Sequence, residues 1–280
     1  MAGANGTTEW MMQNDVLLSV VMPVYNEAST VETTIDRVLA VPLPKELIVV
    51  DDGSTDGTRE VLHRLSEEHA GTELHVLSQP WNRGKGAALR RGIKAARGQY
   101  VVIQDADLEY DPRDYPSLLR PCLELQADVV YGSRFVSGSE RRVLLFWHSV
   151  GNWVLTLVSN AFTDLNLTDM ETGYKLFRRE VIQSLDLKQD RFGFEPEVTA
   201  KIAHRGLRIY EVGISYHGRG YEEGKKIGWR DAVQALVCII RYGVESRMTA
   251  RRTPASQRFV RAHPADLAVA TNKESDLSIA

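Results

Sequence analysis

The chain reads as an α/β protein with a mostly parallel central sheet flanked by helices. Three observations predict this. Short apolar runs rich in Val, Ile and Leu recur along the first half, as strands buried on both faces require. Segments with apolar residues at helical spacing alternate with them. The Asp, Gly and Pro clusters fall just after the apolar runs, outside the carboxyl ends of the expected strands, where parallel sheets of this kind bind ligands. The 280 residues, 43% hydrophobic and 25% charged, suffice for a sizeable core.

The expected strands are residues 17–22, 46–51, 74–78, 100–104 and 127–131. After the first, Val31, Ile35, Val38 and Leu39 recur at helical spacing; after the second, Val61, Leu62 and Leu65. Ala87, Ala88, Ile93 and Ala96 follow the third, and Leu118, Leu119, Leu123 and Leu125 the fourth. Right-handed crossovers join such units. Beyond Tyr131 the pattern changes. Residues 143–162 carry no formal charge and hold a polar stripe of His148, Asn152, Thr156, Ser159 and Asn160. Glu195-Pro196-Glu197 opens a further helix, with proline and acidic residues in its first turn. Residues 208–214 read as a late strand and 229–242 as an amphipathic helix. The expected organisation is a flexible N-terminus (1–14), one domain (15–245) with halves 15–131 and 132–245, and a disordered tail (246–280).

The net charge of −3 argues against a general affinity for nucleic acid. Cys122 and Cys238, both in apolar helical contexts, read as buried free thiols of a reducing compartment. No zinc-type spacing, signal peptide or transmembrane run is legible. The expectation is a cytoplasmic protein, at most resting on the inner face of the cell membrane.

Asp105-Ala106-Asp107 follows the apolar run at 100–103, so two carboxylates stand at a strand end. They can hold a divalent cation, and the cation a diphosphate. Glu109 extends the spacing; in an extended segment Asp105, Asp107 and Glu109 share a side, a set suited to Mg2+ or Mn2+. A solvated acidic loop is the plainer reading of that motif alone. The first strand ends in Pro23, Tyr25 and Glu27, a loop against which a base and ribose can lie, or simply a strand end with a helix-starting acid. The second ends in Asp51-Asp52-Gly53-Ser54, adjacent like charges that need a use, such as hydrogen bonds from a base or ribose. Asn82-Arg83-Gly84-Lys85-Gly86 is not a Walker A loop; it puts a cation near a diphosphate or lets a helix pack closely on the sheet.

With Gly132-Ser133-Arg134-Phe135, these segments resemble the ordered signature of inverting GT-A glycosyltransferases of family 2, closest to the dolichol-phosphate (polyprenyl-phosphate) mannose synthase group. The resemblance covers roughly residues 19–247. It implies a GT-A (nucleotide-diphospho-sugar transferase) fold and a metal-dependent transfer of a hexose, mannose first and glucose second. The donor would be GDP-mannose or UDP-glucose and the acceptor a polyprenyl phosphate, reached by peripheral membrane contact. It assigns Pro23, Tyr25, Glu27, Asp51 and Asp52 to the nucleotide pocket, Asp105, Asp107 and Glu109 to the metal, and Arg134 to phosphate. Lys85, Arg219 and Lys225 join the phosphate contacts.

The acceptor half departs from the family pattern. Arg141 and Arg142 precede the apolar stretch, and the stretch itself offers His148 and Asn152. Asp169-Met170-Glu171-Thr172-Gly173-Tyr174-Lys175 resembles a family segment and leaves two mechanisms open. A hydroxyl acceptor needs a general base, Asp169 or Glu171. A phosphate acceptor is already ionised and needs cations, for which Arg134, Lys175, Arg178, Arg219, Lys225 and Lys226 are candidates. The glycine-rich run 217–226 reads as a loop that closes over the donor. Trp81, Trp147, Trp153 and Trp229 are expected as core or interface anchors rather than sugar platforms, with lipid contact a further alternative for Trp147 and Trp153.

Overall fold

The structure is a computed structural model that describes residues 16–136, 146–218 and 229–252. Seven strands form one sheet: β1 (Leu18–Val24), β2 (Lys45–Asp51), β3 (Leu74–Ser78), β4 (Tyr100–Ile103), β5 (Val129–Ser133), β6 (Lys175–Arg178) and β7 (Ile209–Gly213). Their order is β3-β2-β1-β4-β6-β5-β7. All neighbours run parallel except β6, which is antiparallel to both β4 and β5. The helices are α1 (Val31–Leu39), α2 (Thr58–Glu68), α3 (Lys85–Ala95), α4 (Tyr115–Glu124), α5 (Phe146–Thr163), α6 (Arg179–Gln183), α7 (Phe194–Ala203) and α8 (Trp229–Arg252).

The strands are apolar on both faces because both faces are covered. Val20 and Met22 of β1 join Leu47 and Val49 of β2 in one core, under Ile35 of α1, Leu62 of α2 and Leu118 of α4. The alternate residues Val21, Ile48 and Val50 join a second core with Leu89 and Ile93 of α3, Phe194 and Val198 of α7 and Ile239 of α8. Helix α3 lies close on the sheet, where a Cβ at Gly92 would collide with Val21, and close on the segment before α7, where one at Gly86 would collide with the Gln189 carbonyl. Cys122 and Cys238 are both buried free thiols.

Two differences from the sequence reading matter. Strand β6 was not expected. It is four residues long, and Lys175 and Arg178 at its ends hide its apolar centre, yet it occupies the middle of the sheet. Helix α8 also runs on to Arg252, past the 229–242 span expected for it. Ser246 and Thr249 bond back to the carbonyls of Gly243 and Glu245, and Arg247 bonds the Ala161 carbonyl of α5, so the polar composition there is compatible with helix.

Helices α5 and α8 pack on each other and on α7. Away from that contact, α5 exposes Phe146, Trp147, Trp153, Val154 and Leu157, and α8 exposes Val233, Val237, Ile240, Val244 and Met248. Trp147 is 78% and Trp153 61% exposed, so neither is a core anchor; Trp81 is exposed as well.

Candidate active site

The loops that leave β1 and β2 are tied together at the carboxyl edge of the sheet. Asn26 adopts φ 55°, which turns the chain after Tyr25 and aims backbone N–H groups at the neighbouring loop. The N–H of Asn26 donates to Ser54 Oγ (3.0 Å) and that of Glu27 to Thr58 Oγ1 (2.9 Å). Tyr25 is exposed, while Pro23 and Glu27 are half-buried, so all three border solvent beside these loops. Gly53 has φ 74°, and a Cβ there would stand 2.5 Å from the Trp81 carbonyl carbon. Only glycine lets the β2 loop meet the loop before α3.

Asp51 and Asp52 are both buried and both occupied within the protein. Asp51 accepts from the Ser54 N–H (3.0 Å) and pairs with Arg59 (3.1 Å). Asp52 accepts from Gln79 Nε2 (2.8 Å) and from the N–H groups of Arg83 (2.9 Å) and Gly84 (2.7 Å). Burial raises the Asp52 pKa despite these donors. The use that brings the two like charges together is thus visible: they tie the loop after β2 to α2 and to the segment between β3 and α3.

Behind Gly84, Lys85 opens α3 and reaches Asp105. Its Nζ lies 2.9 Å from Asp105 Oδ1, 3.1 Å from Oδ2 and 3.1 Å from Glu195 Oε1 of α7. Burial works against the ammonium charge, but Asp105 and then Glu195 outweigh it and raise the Lys85 pKa well above the ordinary value. The Asn82–Gly86 segment thus sets the Lys85 ammonium beside Asp105, while Gly84 and Gly86 pack against the backbone of Gln189 and Asp190.

Asp105, Asp107 and Glu109 do not share one side of an extended segment. Leu108 has φ 62°, so the chain turns between the second and third carboxylates. Asp107 Oδ1 accepts from the Glu109 N–H (3.2 Å), and Glu109 Oε2 accepts from the Tyr216 hydroxyl (2.7 Å). Among the described residues no three His, Cys, Asp or Glu side chains converge as a ready-made metal site. The oxygen-only pair Asp105 and Asp107 still fits Mg2+ or Mn2+. Mg2+ in particular takes one or two carboxylates plus substrate phosphates and water. The Lys85 ammonium already shows that both Asp105 oxygens accept a cation.

On the acceptor side, β5 ends at Ser133, and Arg134 follows. Its guanidinium grips Asp169 with two bonds of 2.7 Å, to Oδ2 and Oδ1, and its backbone N–H adds a third at 3.1 Å. Asn152 of α5 donates to Asp169 Oδ1 (3.1 Å) and accepts from Arg134 (3.3 Å). Burial disfavours the Arg134 charge, yet Asp169 outweighs it and holds the pKa above its usual value. Asp169 is fully buried and receives four donors, which leaves it unsuited to the role of general base. Glu211 of β7 steadies this loop by accepting from the Thr168 N–H (2.9 Å).

Glu171 differs. It is half-buried, and its Oε1 has no hydrogen-bond partner. Burial, and next the Glu195 charge, push its pKa up. Lys175 is fully buried; its Nζ bonds the Thr172 carbonyl and sits 5.1 Å above the Tyr131 ring. Burial lowers its pKa against the pull of Glu195 and Glu171. Arg178 does not belong with these cations. Because β6 is antiparallel, Lys175 pairs with Tyr131 near the site, whereas Arg178 pairs with Tyr100 at the far edge and binds Asp128 (3.2 Å).

Arg141, Arg142, Arg219, Lys225 and Lys226 lie outside the described residues, and the Trp229 side chain is likewise not described. The sequence reading missed Glu195, Gly173 and Tyr110. Gly173 abuts the D-x-D loop so closely that a Cβ would collide with Asp105 Oδ2. Its N–H donates to the Tyr110 hydroxyl (2.8 Å), and the Tyr110 ring stacks on Tyr174 at 4.8 Å. The Thr-Gly-Tyr order beside a D-x-D loop was the available signal for Gly173. Nothing local marked Glu195, which acts 110 positions after Lys85.

Residues 19–186 match the sequence profile described as Glycosyl transferase family 2. The chain belongs to that family. It is 31% identical over 212 residues to dodecaprenyl-phosphate galacturonate synthase of Rhizobium johnstonii, covering 74% of this chain and 61% of that protein's length. It is 30% identical over 236 residues to undecaprenyl-phosphate mannosyltransferase of Micrococcus luteus, covering 81% of this chain and 94% of that one. Among solved structures, glucosyl-3-phosphoglycerate synthase from Mycobacterium tuberculosis in complex with Mn2+, UDP and phosphoglyceric acid superposes with a TM-score of 0.63. The identity is 24%, covering 81% of this chain and 78% of that chain. That likeness establishes the GT-A fold, which this family 2 chain realises with its seven-stranded, mostly parallel sheet.

Proposed function

We propose that the chain is a metal-dependent, inverting glycosyltransferase that moves a hexose from a nucleoside-diphosphate sugar to a polyprenyl phosphate. Mannose is the first candidate and glucose the second. The observation that carries the acceptor assignment is the environment of Arg134. This guanidinium is oriented by Asp169 and by Asn152 of α5, and the same helix exposes Trp153 and Val154 beside Asn152. A phosphate-binding cation joined to an apolar helix face suits an acceptor with an anionic head on a lipid chain. The two relatives named for transfer to dodecaprenyl and undecaprenyl phosphate support the same class of acceptor.

In this reading Pro23, Tyr25 and Glu27 border the base and ribose, and Asp51 and Asp52 hold the loops that form the pocket. When bound at Asp105 and Asp107, a divalent cation supplies positive charge to the leaving diphosphate. Arg134 holds the acceptor phosphate, whose oxygen attacks the anomeric carbon from the face opposite the diphosphate and inverts it. The acceptor is already ionised, so no side chain has to remove a proton. The family resemblance assigns Arg219 and Lys225, which lie outside the described residues, to phosphates of the donor. The exposed faces of α5 and α8 rest on the membrane that carries the acceptor. No helix among the described residues is long and apolar enough to cross it.

A hydroxyl acceptor is the second reading, favoured by the partnerless Glu171 Oε1 and the raised pKa of that carboxyl. The two separate on a pair of variants. Transfer to a short polyprenyl phosphate should fall sharply in Arg134→Ala and survive in Glu171→Gln. No transfer to the lipid phosphate, with transfer to a hydroxyl compound that Glu171→Gln abolishes, would assign the acceptor to that compound with Glu171 as its base.

A further inference from the structure

We infer that Glu195 is a positioning residue that receives the Lys85 ammonium when a divalent cation takes Asp105. The inference rests on the proposed metal role of Asp105 and Asp107. The Lys85 ammonium contacts both oxygens of Asp105, at 2.9 and 3.1 Å, so it occupies the carboxylate a metal would use. Two cations compete for one side chain, and one of them has to give way.

Asp105 cannot retreat toward Gly173. Gly173 is packed against Asp105 Oδ2 with no room for even a Cβ, and the Gly173 N–H is fixed by Tyr110. Lys85 can move, because its ammonium sits on a flexible four-carbon stem. Its destination is already in contact: Glu195 Oε1, 3.1 Å away. Glu195 is itself only 6% exposed and is held in the first turn of α7. A buried carboxylate there has a use if it keeps the displaced ammonium paired instead of leaving it unpaired beside the incoming metal. Lys175 and Glu171 also feel the Glu195 charge, so the three form one electrostatic unit under the D-x-D loop.

The effect has a defined sign. In the metal-free protein Lys85 has two anionic partners; with metal on Asp105 it has Glu195. Loss of the Glu195 charge therefore weakens metal binding more than it weakens the metal-free state. Loss of one charge-assisted bond of this kind corresponds to a Kd change of about tenfold.

The test is a titration of the full chain with Mn2+, read by the electron paramagnetic resonance of the free ion and repeated with UDP and with GDP present. Wild type, Asp107→Asn, Glu195→Gln, Lys85→Met and the double variant Lys85→Met/Glu195→Gln are compared. Thermal unfolding of each checks that the fold persists. The expected result is Asp107-dependent binding in wild type, about tenfold weaker in Glu195→Gln. On the Lys85→Met background the same substitution should change Kd by less than about twofold, because there is no ammonium to receive. An equal loss on both backgrounds would mean that Glu195 attracts the metal across space, and would overturn the inference. So would an unchanged Kd in Glu195→Gln while Asp107→Asn loses binding; the metal reading would then stand alone. Absence of Mn2+ binding to wild type under all three conditions would remove the metal site and the inference together.

Discussion

Asp169 offers the sharpest separation between a base and a clamp. The substitution Asp169→Asn removes its charge and keeps its shape. Asp169 is fully buried and Arg134 is 15% exposed, with two contacts of 2.7 Å between them. Opposite charges about 4 Å apart at an effective dielectric of ~20 attract by ~4 kcal/mol. Breaking a buried pair by neutralising one partner costs about 3–5 kcal/mol. The new amide would also turn an N–H toward the guanidinium or lose Asn152. At ~2–4 °C per kcal/mol for a domain of this size, the melting temperature should fall by roughly 10 °C. Thermal and urea unfolding of the wild type, Asp169→Asn, Arg134→Met and the double variant Arg134→Met/Asp169→Asn measure it. The double variant should cost less than the sum of the singles, since no unpaired charge is left behind. A destabilisation under ~1 kcal/mol with total loss of transfer would refute the clamp and return Asp169 to the role of base.

Other consequences follow from the same packing. In Gly173→Ala the added methyl would displace the Asp105 carboxylate, and metal-dependent transfer should fall about a hundredfold, as displacements of ~1 Å at a reacting centre do; Mn2+ binding measured in parallel should weaken with it. Burial pushes the Cys122 thiol up to about 12, so it should resist a disulfide reagent in the native protein and react only on unfolding. Replacement of both Trp147 and Trp153 by Ser should weaken co-sedimentation with phospholipid vesicles by about tenfold or more. Burial of ~100 Å2 of indole surface is worth ~2.5 kcal/mol.

Periodicity and punctuation carried the donor half of the fold. Val20, Val21 and Met22 read as a strand buried on both faces, and the Asp, Gly and Pro clusters after such runs fell where the structure has its loops. What escaped was long-range pairing. Strand β6 owes its central place to β4 and β5, not to its own four residues. Its reversed direction separates Lys175 from Arg178, which adjacency in the sequence had grouped. Asp105, Asp107 and Glu109 looked collinear because nothing in the sequence announced a positive φ at Leu108, a residue that rarely adopts one. Asp169 and Glu171 looked equivalent as bases. Only the fold shows that Arg134 engages one, while Oε1 of the other has no hydrogen-bond partner.

The proposed reaction is the transfer of a hexose to a lipid phosphate. The most direct measurement supplies labelled GDP-mannose and UDP-glucose, with Mg2+ or Mn2+, and a short polyprenyl phosphate, beside an EDTA control and the Asp107→Ala variant. The expected result is a chloroform-soluble, acid-labile product from one of the two donors, abolished by EDTA and by the substitution. Donor hydrolysis without any lipid product, or transfer only to a hydroxyl compound, would contradict it.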